Sequence, residues 1–484
     1  MFDLRPILFI AGIILSIQAG AMLIPALVDL AAGHPDWQGF VASAALTLFV
    51  GVALAITSRG PSFDLKVRQA FLLTTTMWLV SAAFGALPFA FSELRMSYTD
   101  AFFEAMSGIT TTGSTVITGL DDAPPGILIW RAILQWLGGI GIIVTAMSLL
   151  PLLRVGGMQL FRTESTDASE KVLPRAAQIA SSIGVIYLIL TLACAIAYAA
   201  AGMPGFDAVA HSMTTIATGG FSTSDLSIGS FGSNAVDYVA TVFMIAGGLP
   251  FVLYLRAVRG QPGALLRDEQ VQWFLCIVAA AVVIMTIYLW ASRGDEVSGA
   301  QAFRLAAFNV VSVITGTGYA TSDYGLWGSF AVGAMFFLMF VGGCAGSTTC
   351  GIKVFRFQVL YATARTQIKK LLHPHGVFIA YYNRKPIPEA VSESVMSFFF
   401  MFVICFAGLA MALGLLGLDF LTAVSGAATA IANVGPGLGP MIGPAGTFAE
   451  VPDAAKWVLA FGMLLGRLEL FTVLILLAPG FWRD

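Results

Sequence analysis

The stretch that decides the fold runs from Asp100 to Ser114 and reads DAFFEAMSGITTTGS. It begins with an apolar segment, continues into three threonines, and reaches Gly113 four residues after Ile109. A helix needs about 20 apolar residues to cross a bilayer core, so this stretch is too short to span one. Taken alone, it would fit an external loop with a turn glycine.

Three later stretches repeat this pattern. Each has an apolar segment followed by Ile-x-x-x-Gly, and the glycines recur at intervals of 107, 98 and 117 residues (113 to 220, 220 to 318, 318 to 435). The stretches are DAVAHSMTTIATGGF (207–221), AFRLAAFNVVSVITGTGY (302–319) and DFLTAVSGAATAIANVGP (419–436). Four stretches in one register favour an internal fourfold repeat over four unrelated loops.

The composition places these repeats in a membrane protein. The 484 residues are 58% hydrophobic and 11% charged, with a mean hydropathy of +0.86, whereas a soluble domain carries about 25% charged residues. This excludes an ordinary cytosolic enzyme, a nucleic-acid-binding protein and a disordered chain. The five cysteines suggest no disulfide framework, and Cys344 and Cys350 fit small neutral residues better than a metal site, because no histidine accompanies them.

Long apolar segments predict ten membrane spans. The first could be read as a signal peptide, but it lacks a strongly basic start and a cleavage site, so we interpret it as a retained helix. The predicted spans are 6–28, 37–58, 69–92, 132–153, 176–206, 238–255, 270–292, 324–352, 394–418 and 457–482.

The distribution of basic residues predicts the orientation. Of the 25 lysines and arginines, 19 fall in the loops that share a side with both termini, five fall in the opposite loops, and Arg467 lies inside a span. The positive-inside rule therefore places both termini in the cytoplasm. The external segments are acidic, as suits the entry of a cation.

Together these features predict an all-α polytopic membrane protein with ten spans and four re-entrant pore helices. Two leading helices precede four channel-like units, each a span, a pore helix, an extended strand and a second span, arranged with pseudo-fourfold symmetry. The predicted units are 1–68 for the leading helices, 69–153 with pore loop 98–115, 154–256 with pore loop 205–222, 257–358 with pore loop 299–320, and 359–484 with pore loop 418–437.

The four extended strands predict a cation filter. Non-helical backbone at membrane depth is tolerated where it is buried in protein or lines a cavity, and rings of carbonyls can replace the water shell of a potassium ion. The strands contain no charged side chain, which favours a monovalent over a divalent cation. The predicted filter residues are Thr110, Thr111, Thr112, Gly113, Thr218, Gly219, Gly220, Gly316, Thr317, Gly318, Asn433, Val434 and Gly435.

Side chains and helix ends around the strands have secondary roles. The threonine hydroxyls either coordinate the ion or hydrogen-bond the strand from behind. The C-terminal ends of the pore helices carry partial negative charge toward the axis. Asp100, Asp207 and Asp419, near the helix N-termini, fit caps or dipole partners, and a modest attraction of cations is compatible with that role.

Glycines also mark the second span of each unit. Gly138, Gly247 and Gly466 fit close helix packing. The third unit differs, because Val341–Gly351 has four glycines and few helix formers, which predicts a break inside the membrane. The residues singled out there are Gly342, Gly343, Gly346, Ser347, Thr348 and Gly351.

Arg467 is the only basic residue inside a predicted span. A charge at the bilayer centre is costly, so it needs water or a partner. Glu469, two residues later, cannot share its helical face. An ion pair with another helix is possible, but the other predicted spans are free of charge. We therefore expect Arg467 to lie below the filter, raise the barrier to cations and help residues 342–351 close the path.

The repeats resemble those of the Trk/Ktr/HKT superfamily of potassium transporters. The resemblance rests on TTTGSTV (110–116), IATGGFST (216–223), TGTGYA (315–320) and NVGPG (433–437). The two leading helices make the chain most similar to TrkH-type subunits of the bacterial inner membrane. Repeat four departs from the threonine-rich pattern.

The resemblance implies potassium uptake with preference over sodium, because glycine occupies all four filters. It also implies that residues 342–351 form an intramembrane gating loop. The implied assembly is a homodimer with one pore per protomer, together with a cytosolic ring of TrkA-type nucleotide-binding regulatory subunits. Potassium is the implied bound and transported ion, and no covalent cofactor is implied.

The long cytoplasmic segment 353–393 carries seven basic residues. It fits either a solvated loop near lipid headgroups or a docking surface for the regulatory subunit, shared with 154–175. His373 and His375 are too few for a metal site.

Two other classes of function compete with a potassium pathway. A secondary transporter that couples potassium or another small solute to proton or sodium symport would also use broken helices, and the sequence leaves passive and coupled flux open. An intramembrane enzyme is disfavoured, since the chain has no HExxH, P-loop or GxGxxG motif.

Overall fold

The computed structural model describes residues 3–60, 66–148, 157, 172–294 and 296–483. This part of the chain is helical, apart from one short hairpin in which Tyr381–Tyr382 (β1) pairs antiparallel with Lys385–Pro386 (β2). The helices are Arg5–Ala32 (α1), Trp37–Thr57 (α2), Val67–Gly85 (α3), Leu87–Phe91 (α4), Tyr98–Ile109 (α5), Pro125–Ser148 (α6), Val172–Ala200 (α7), Gly205–Ile216 (α8), Asn234–Gly247 (α9), Phe251–Val258 (α10), Ala264–Arg267 (α11), Glu269–Arg293 (α12), Gly299–Ile314 (α13), Ser329–Leu338 (α14), Val354–Leu372 (α15), Glu389–Leu415 (α16), Phe420–Ala432 (α17), Asp453–Arg467 (α18) and Phe471–Leu477 (α19).

The described helices are apolar and long enough for a polytopic membrane protein. Seven can each cross a membrane, and two bent pairs raise the number to nine. The ten-residue helix α14 lies at the position of the eighth predicted span, 324–352. Large apolar side chains such as Phe49 (72% exposed) and Ile196 (70%) point outward, as lipid contact requires, because hydrocarbon solvates them where water would not.

Three of the predicted spans are interrupted rather than one. The break predicted in the third unit is confirmed, since α14 ends at Leu338 and α15 begins at Val354. The predicted spans 238–255 and 457–482 are each bent at a break that the sequence did not indicate: α9 and α10 meet at 93°, and α18 and α19 meet at 118°.

Each interruption has a local cause. The break between α9 and α10 falls at Pro250, which cannot donate a helical hydrogen bond. At the α18–α19 break, Glu469 and Leu470 take left-handed backbone angles, with φ of 60° and 53°. A left-handed residue cannot continue a right-handed helix, so the chain turns there.

The four predicted pore helices are present as α5, α8, α13 and α17. Each packs against the long helix before it in its unit: α3, α7, α12 and α16 respectively. Asp419 caps α17 as predicted, accepting from the Thr422 amide at 3.1 Å. Ser97 caps α5 instead of Asp100, which lies in the first turn and pairs with Lys456 at 2.6 Å.

The two leading helices pack through small residues. A methyl group on Gly12 of α1 would lie 2.5 Å from the Gly51 carbonyl oxygen and 2.6 Å from the Ala55 amide nitrogen of α2. Close backbone approach of this kind is a common basis for helix association in membranes.

Replacing Gly12 with alanine should therefore destabilise the protein, because α1 and α2 must move apart. We expect a loss of about 1–3 kcal/mol, the usual cost of overpacking, measured as a lower midpoint of thermal unfolding in detergent. Gly20→Ala is the matched control, since no atom lies within 4 Å of a side chain there. Equal midpoints for the two variants would contradict the packing argument.

Candidate functional site

The four pore helices end in the same way. Three end at the predicted isoleucine and α17 ends one residue later. In every repeat, the amide of the third residue after the isoleucine donates to a carbonyl five residues earlier, which closes the helix end. These bonds join Thr112 to Ser107 (2.9 Å), Gly219 to Thr214 (2.9 Å), Thr317 to Ser312 (2.9 Å) and Val434 to Thr429 (3.1 Å).

The backbone angles of the four strands also repeat. In each strand the predicted glycine and the residue two positions before it have positive φ, while the residue between them does not. The angles are 52° and 87° at Thr111 and Gly113, 50° and 77° at Thr218 and Gly220, 67° and 81° at Gly316 and Gly318, and 50° and 110° at Asn433 and Gly435. Left-handed threonines cost about 1–3 kcal/mol each, so the surroundings must impose this conformation.

The strands approach one another through the four glycines. A side chain on Gly113 would collide with the Gly219 carbonyl oxygen of repeat two, and one on Gly220 would collide with the Thr317 carbonyl oxygen of repeat three. Repeats three and four, and repeats four and one, are related in the same way. Gly318 faces the Val434 carbonyl oxygen. Gly435 faces the Thr112 carbonyl oxygen, which lies 2.8 Å from the position that a Cβ atom on Gly435 would take.

The structure thus brings the predicted filter residues of all four repeats into one closed ring. A cavity of about 70 Å³ is lined by the four glycines of the ring. Each repeat contributes the carbonyl that precedes its glycine, and only a residue without a side chain allows the next repeat so close.

Two of the threonine hydroxyls, in repeats one and three, support the strand from within their own repeat. Thr110 donates to the Met106 carbonyl at 2.6 Å and lies 2.7 Å from the Thr112 hydroxyl. Thr315 repeats this arrangement, with the Val311 carbonyl at 2.7 Å and Thr317 at 2.8 Å. Of the two roles expected for the threonines, these contacts match support of the strand from behind.

Repeat four reaches the same backbone geometry with an asparagine. The Asn433 amide nitrogen donates to the Thr112 hydroxyl and to the Met463 carbonyl, both at 2.9 Å. One side chain therefore ties the fourth strand to the first strand and to helix α18. Repeat four departs from the threonine-rich pattern in the side chain that supports its strand, but the backbone angles of the strand follow the same pattern.

A buried ion pair behind the ring was missed in the sequence. Glu104 of α5 and Arg131 of α6 lie 2.8 Å apart and are almost fully buried. Arg131 also donates to the Ser222 carbonyl at 2.6 Å, and Glu104 accepts from the Val116 amide at 2.9 Å. The pair therefore holds the chain after two different strands. Glu104 was the available signal, because it is a carboxylate in the middle of an otherwise apolar part of the pore helix.

Gln135, one turn further along α6, contacts the second strand directly. Its amide nitrogen donates to the Gly219 carbonyl at 2.6 Å, and its amide oxygen accepts from Phe221 at 3.0 Å. No sequence pattern indicates this residue, because a glutamine near a helix centre is not distinguished by its position.

The second-span glycines lie against the ends of the pore helices. A side chain on Gly138 would collide with the Ile109 carbonyl oxygen, and one on Gly466 would collide with the Ile431 carbonyl oxygen. On Gly247 it would lie 3.1 Å from the Ile216 carbonyl oxygen. The interpretation of close packing is confirmed for these three. In repeat three the helix has already ended, and Gly342 faces Cys350 of its own loop.

The broken segment of repeat three forms a compact loop across the base of the ring. Its ends are joined by a parallel bridge between Val341 and Ile352. Thr348 lies 3.2 Å from the Thr218 hydroxyl, and Cys350 lies 3.8 Å from the Thr111 hydroxyl. The loop therefore contacts the strands of repeats one and two from one side.

The loop is anchored rather than loose. The Thr348 hydroxyl donates to the Ile216 carbonyl at 2.9 Å and lies 3.0 Å from the Gly247 carbonyl oxygen, and the Cys344 amide donates to the Gly248 carbonyl at 3.0 Å. Residues 342–350 are buried. The break between α9 and α10 supplies the carbonyl acceptors that hold the loop in this conformation.

Arg467, at the end of α18, joins the loop to repeat one. Its guanidinium donates to the Thr348 carbonyl at 3.1 Å, to the Cys350 sulfur at 2.6 Å and to the Gly138 carbonyl at 3.0 Å. Among the described residues, no carboxylate lies within 4 Å of it. Its positive charge is thus held by neutral dipoles beneath the ring.

Buried bases also lie outside the predicted spans, in addition to Arg467 within one. Arg131 was assigned to an external loop, but it lies within α6, which begins at Pro125. Arg356, assigned to a cytoplasmic loop, is buried and forms an ion pair with Glu469. Lys353, also buried, donates to the Thr349 carbonyl. The buried region includes helix ends and loops that lie beyond the apolar segments. Spans predicted from apolar composition therefore left these three residues outside the buried region.

The surface predicted to be cytoplasmic is described only in part. The predicted docking segment 154–175 lies largely outside the described residues. In 353–393, helix α15 and the β1–β2 hairpin border a cavity of about 310 Å³, whose lining includes Arg365 and Lys369.

Comparisons with known proteins agree with this architecture. A family model described as "TrkH: Cation transport protein" matches residues 37–483. The Trk system potassium uptake protein TrkI of Halomonas elongata is 48% identical over 480 residues, covering 99% of this chain and 97% of that protein. TrkH of Salmonella typhimurium is 38% identical, covering 99% of each chain.

A solved structure has the same fold. The crystal structure of the potassium transporter TrkH from Vibrio parahaemolyticus superimposes with a TM-score of 0.92 at 38% identity, and the match covers 100% of both chains. With a family model that matches nearly the whole sequence, the chain belongs to the TrkH family of cation transport proteins.

Proposed function

We propose that this protein takes up potassium across the bacterial inner membrane through the ring of carbonyls at Thr112, Gly219, Thr317 and Val434. The observation that carries the proposal is the close approach of each repeat to the glycine of the next. The relatives are potassium uptake proteins by name, which supports potassium as the ion.

The electrostatics of the ring favour a monovalent cation. Carbonyl dipoles replace its water shell, and four pore helices direct the partial negative charge of their C-terminal ends toward the ring. A divalent ion would prefer carboxylate ligands. The charge of Glu104, a carboxylate in the first pore helix, is neutralised by Arg131.

We propose that the loop 342–351 and Arg467 form the gate. The loop lies against two strands of the ring, and the arginine places a positive charge beneath the site. A cation leaving the ring would meet this charge in surroundings that screen it weakly. Opening requires the loop to leave the carbonyls of Ile216, Gly247 and Gly248.

The regulatory partner is proposed to act through α15. This helix begins at Val354, directly after the loop, and continues to the basic surface around Lys369 and Lys370. A TrkA-type nucleotide-binding subunit docked there could displace the loop by moving one helix. We further propose a homodimer with both termini in the cytoplasm, supported by the resemblance to the superfamily and by the basic loops.

Gly113→Ser should impair both flux and selectivity, because the new side chain collides with the Gly219 carbonyl. Strain of about 1–3 kcal/mol corresponds to a loss of roughly tenfold or more in potassium flux. The measurement is flux of potassium, rubidium, sodium and lithium into vesicles that contain the purified protein. Imposed proton and sodium gradients in the same vesicles distinguish coupled from passive transport.

Gly119→Ser is the control for that substitution. Gly119 also has a positive φ, 73°, but has open space around it, so its replacement should leave selectivity unchanged. Wild-type protein that admits all four cations equally would overturn the proposed filter.

Arg467→Ala should raise potassium flux, because it removes both the charge and three hydrogen bonds that hold the loop. Hydrogen bonds to charged groups contribute about 1.5–3 kcal/mol each, so loss of one corresponds to roughly a tenfold shift toward the open loop. Vesicle flux without the regulatory subunit is the measurement.

Arg467→Lys separates charge from anchoring in this test. A lysine keeps the positive charge but cannot reach Thr348, Cys350 and Gly138 together. We expect its potassium flux to lie between those of the wild type and Arg467→Ala. The midpoint of thermal unfolding shows whether either variant is destabilised. Unchanged flux in well-folded Arg467→Ala would rule out the gate role.

Charge reversal of Lys369 and Lys370 to glutamate should weaken binding of a TrkA-type subunit to the protein in detergent, measured by co-purification. Arg59→Glu, on a different cytoplasmic loop and also exposed, is the control. Equal binding by both variants would place the docking surface elsewhere.

A further inference from the structure

Three donor side chains meet on the side of the molecule predicted to be external, away from the ring. His34 and Asp36 lie in the turn between the leading helices α1 and α2, and Glu93 follows helix α4 of the first repeat. One ligand atom from each residue lies within 4.8 Å of the other two. The His34 Nε2 and the nearer Glu93 oxygen are already 3.9 Å apart.

Asp36 points to a ligand at this place. The side chain is only 4% exposed, and one carboxylate oxygen accepts from the Glu93 amide at 3.0 Å. The other oxygen, Oδ2, is buried and has no hydrogen-bond partner among the described residues. A buried charged oxygen without a partner is costly, so the site favours a cation.

Electrostatics agree with that preference. Burial raises the pKa of Asp36 above its ordinary value, opposed by the Glu93 amide bond and His34, while the Glu93 carboxylate adds repulsion. A cation between the two carboxylates would relieve both the desolvation and the repulsion.

The donor set selects the kind of cation. One imidazole nitrogen with two carboxylates suits Zn²⁺ and related transition metals, whereas Ca²⁺ and Mg²⁺ prefer oxygen alone. Zinc lies about 2.0–2.2 Å from such ligands, so the three atoms must move closer together. Glu93 can supply that movement because its side chain is 64% exposed, and its exposure leaves room for a water ligand.

Zinc binding through His34 Nε2 costs one hydrogen bond. The Asp36 amide now donates to His34 Nδ1 at 3.4 Å, and zinc at Nε2 requires the proton to move to Nδ1. That long hydrogen bond is weak, so its loss is small beside three metal–ligand bonds.

We propose that His34, Asp36 and Glu93 bind a divalent transition-metal ion, preferentially Zn²⁺. The ion would join the turn between the two leading helices to the first repeat. It would thereby fix the leading pair against the channel-like part of the molecule, a role separate from potassium transport.

The test uses full-length, tag-free protein in nanodiscs. Isothermal titration and metal analysis should show one bound Zn²⁺ per chain and no comparable binding of Mg²⁺. Zinc should also raise the midpoint of thermal unfolding, because it binds the folded state.

Three variants assign the ligands. His34→Ala, Asp36→Asn and Glu93→Gln should each weaken zinc binding by at least about tenfold, since loss of an outer-shell partner alone costs 10–100-fold. His375→Ala and Glu296→Gln remove exposed groups elsewhere and should bind zinc as wild type does. Glu93 is exposed, so its variant should fold even if Asp36→Asn does not.

The outcomes are distinct. Wild-type protein that binds no zinc at micromolar concentrations would overturn the proposal, as would His34→Ala and Glu93→Gln variants that bind it unchanged. The three zinc-site variants should transport potassium at the wild-type rate. Measuring their potassium flux therefore separates failure of this proposal from failure of the proposed filter.

Discussion

The structure depends on one constraint. Carbonyls that face a central ring cannot take part in the hydrogen bonds of a regular helix, so neighbouring groups must hold the strands that carry them. The chain meets this constraint by stacking each repeat on the glycine of the next, from Gly113 around to Gly435. A side chain at any of these positions would displace a neighbour's carbonyl. The short pore helices, their closed ends and the left-handed residues before each glycine all follow from bringing four such strands together.

Support behind the ring is asymmetric, although the ring is nearly symmetric. Repeats one and two share the Glu104–Arg131 pair and Gln135, whereas repeat four relies on Asn433. Any group that bonds a strand from behind can hold it, so the repeats can use different groups for the same purpose. Divergent sequences can therefore retain one backbone geometry.

The sequence predicted the features that depend on local pattern. Four pore helices and the position of each glycine follow from Ile-x-x-x-Gly, and the break in repeat three follows from its glycines. The 118° bend before Phe471 could not be predicted, because its apolar pattern is also that of a continuous helix. Pairs such as Arg356 with Glu469 join residues 113 positions apart, and no periodicity encodes them.

The third repeat shows why the proposed gate would switch between discrete states. Elsewhere a second-span glycine packs beneath the isoleucine carbonyl, but here the helix has ended and the loop takes its place. Its anchors belong to other repeats: Ile216 and Gly247 in the second, Arg467 in the fourth. Displacing the loop would break contacts with several repeats at once, and packed interfaces of this kind move between two arrangements instead of deforming gradually. A partner that pulls on α15 would therefore act on the ring's support as well as on the path of the ion.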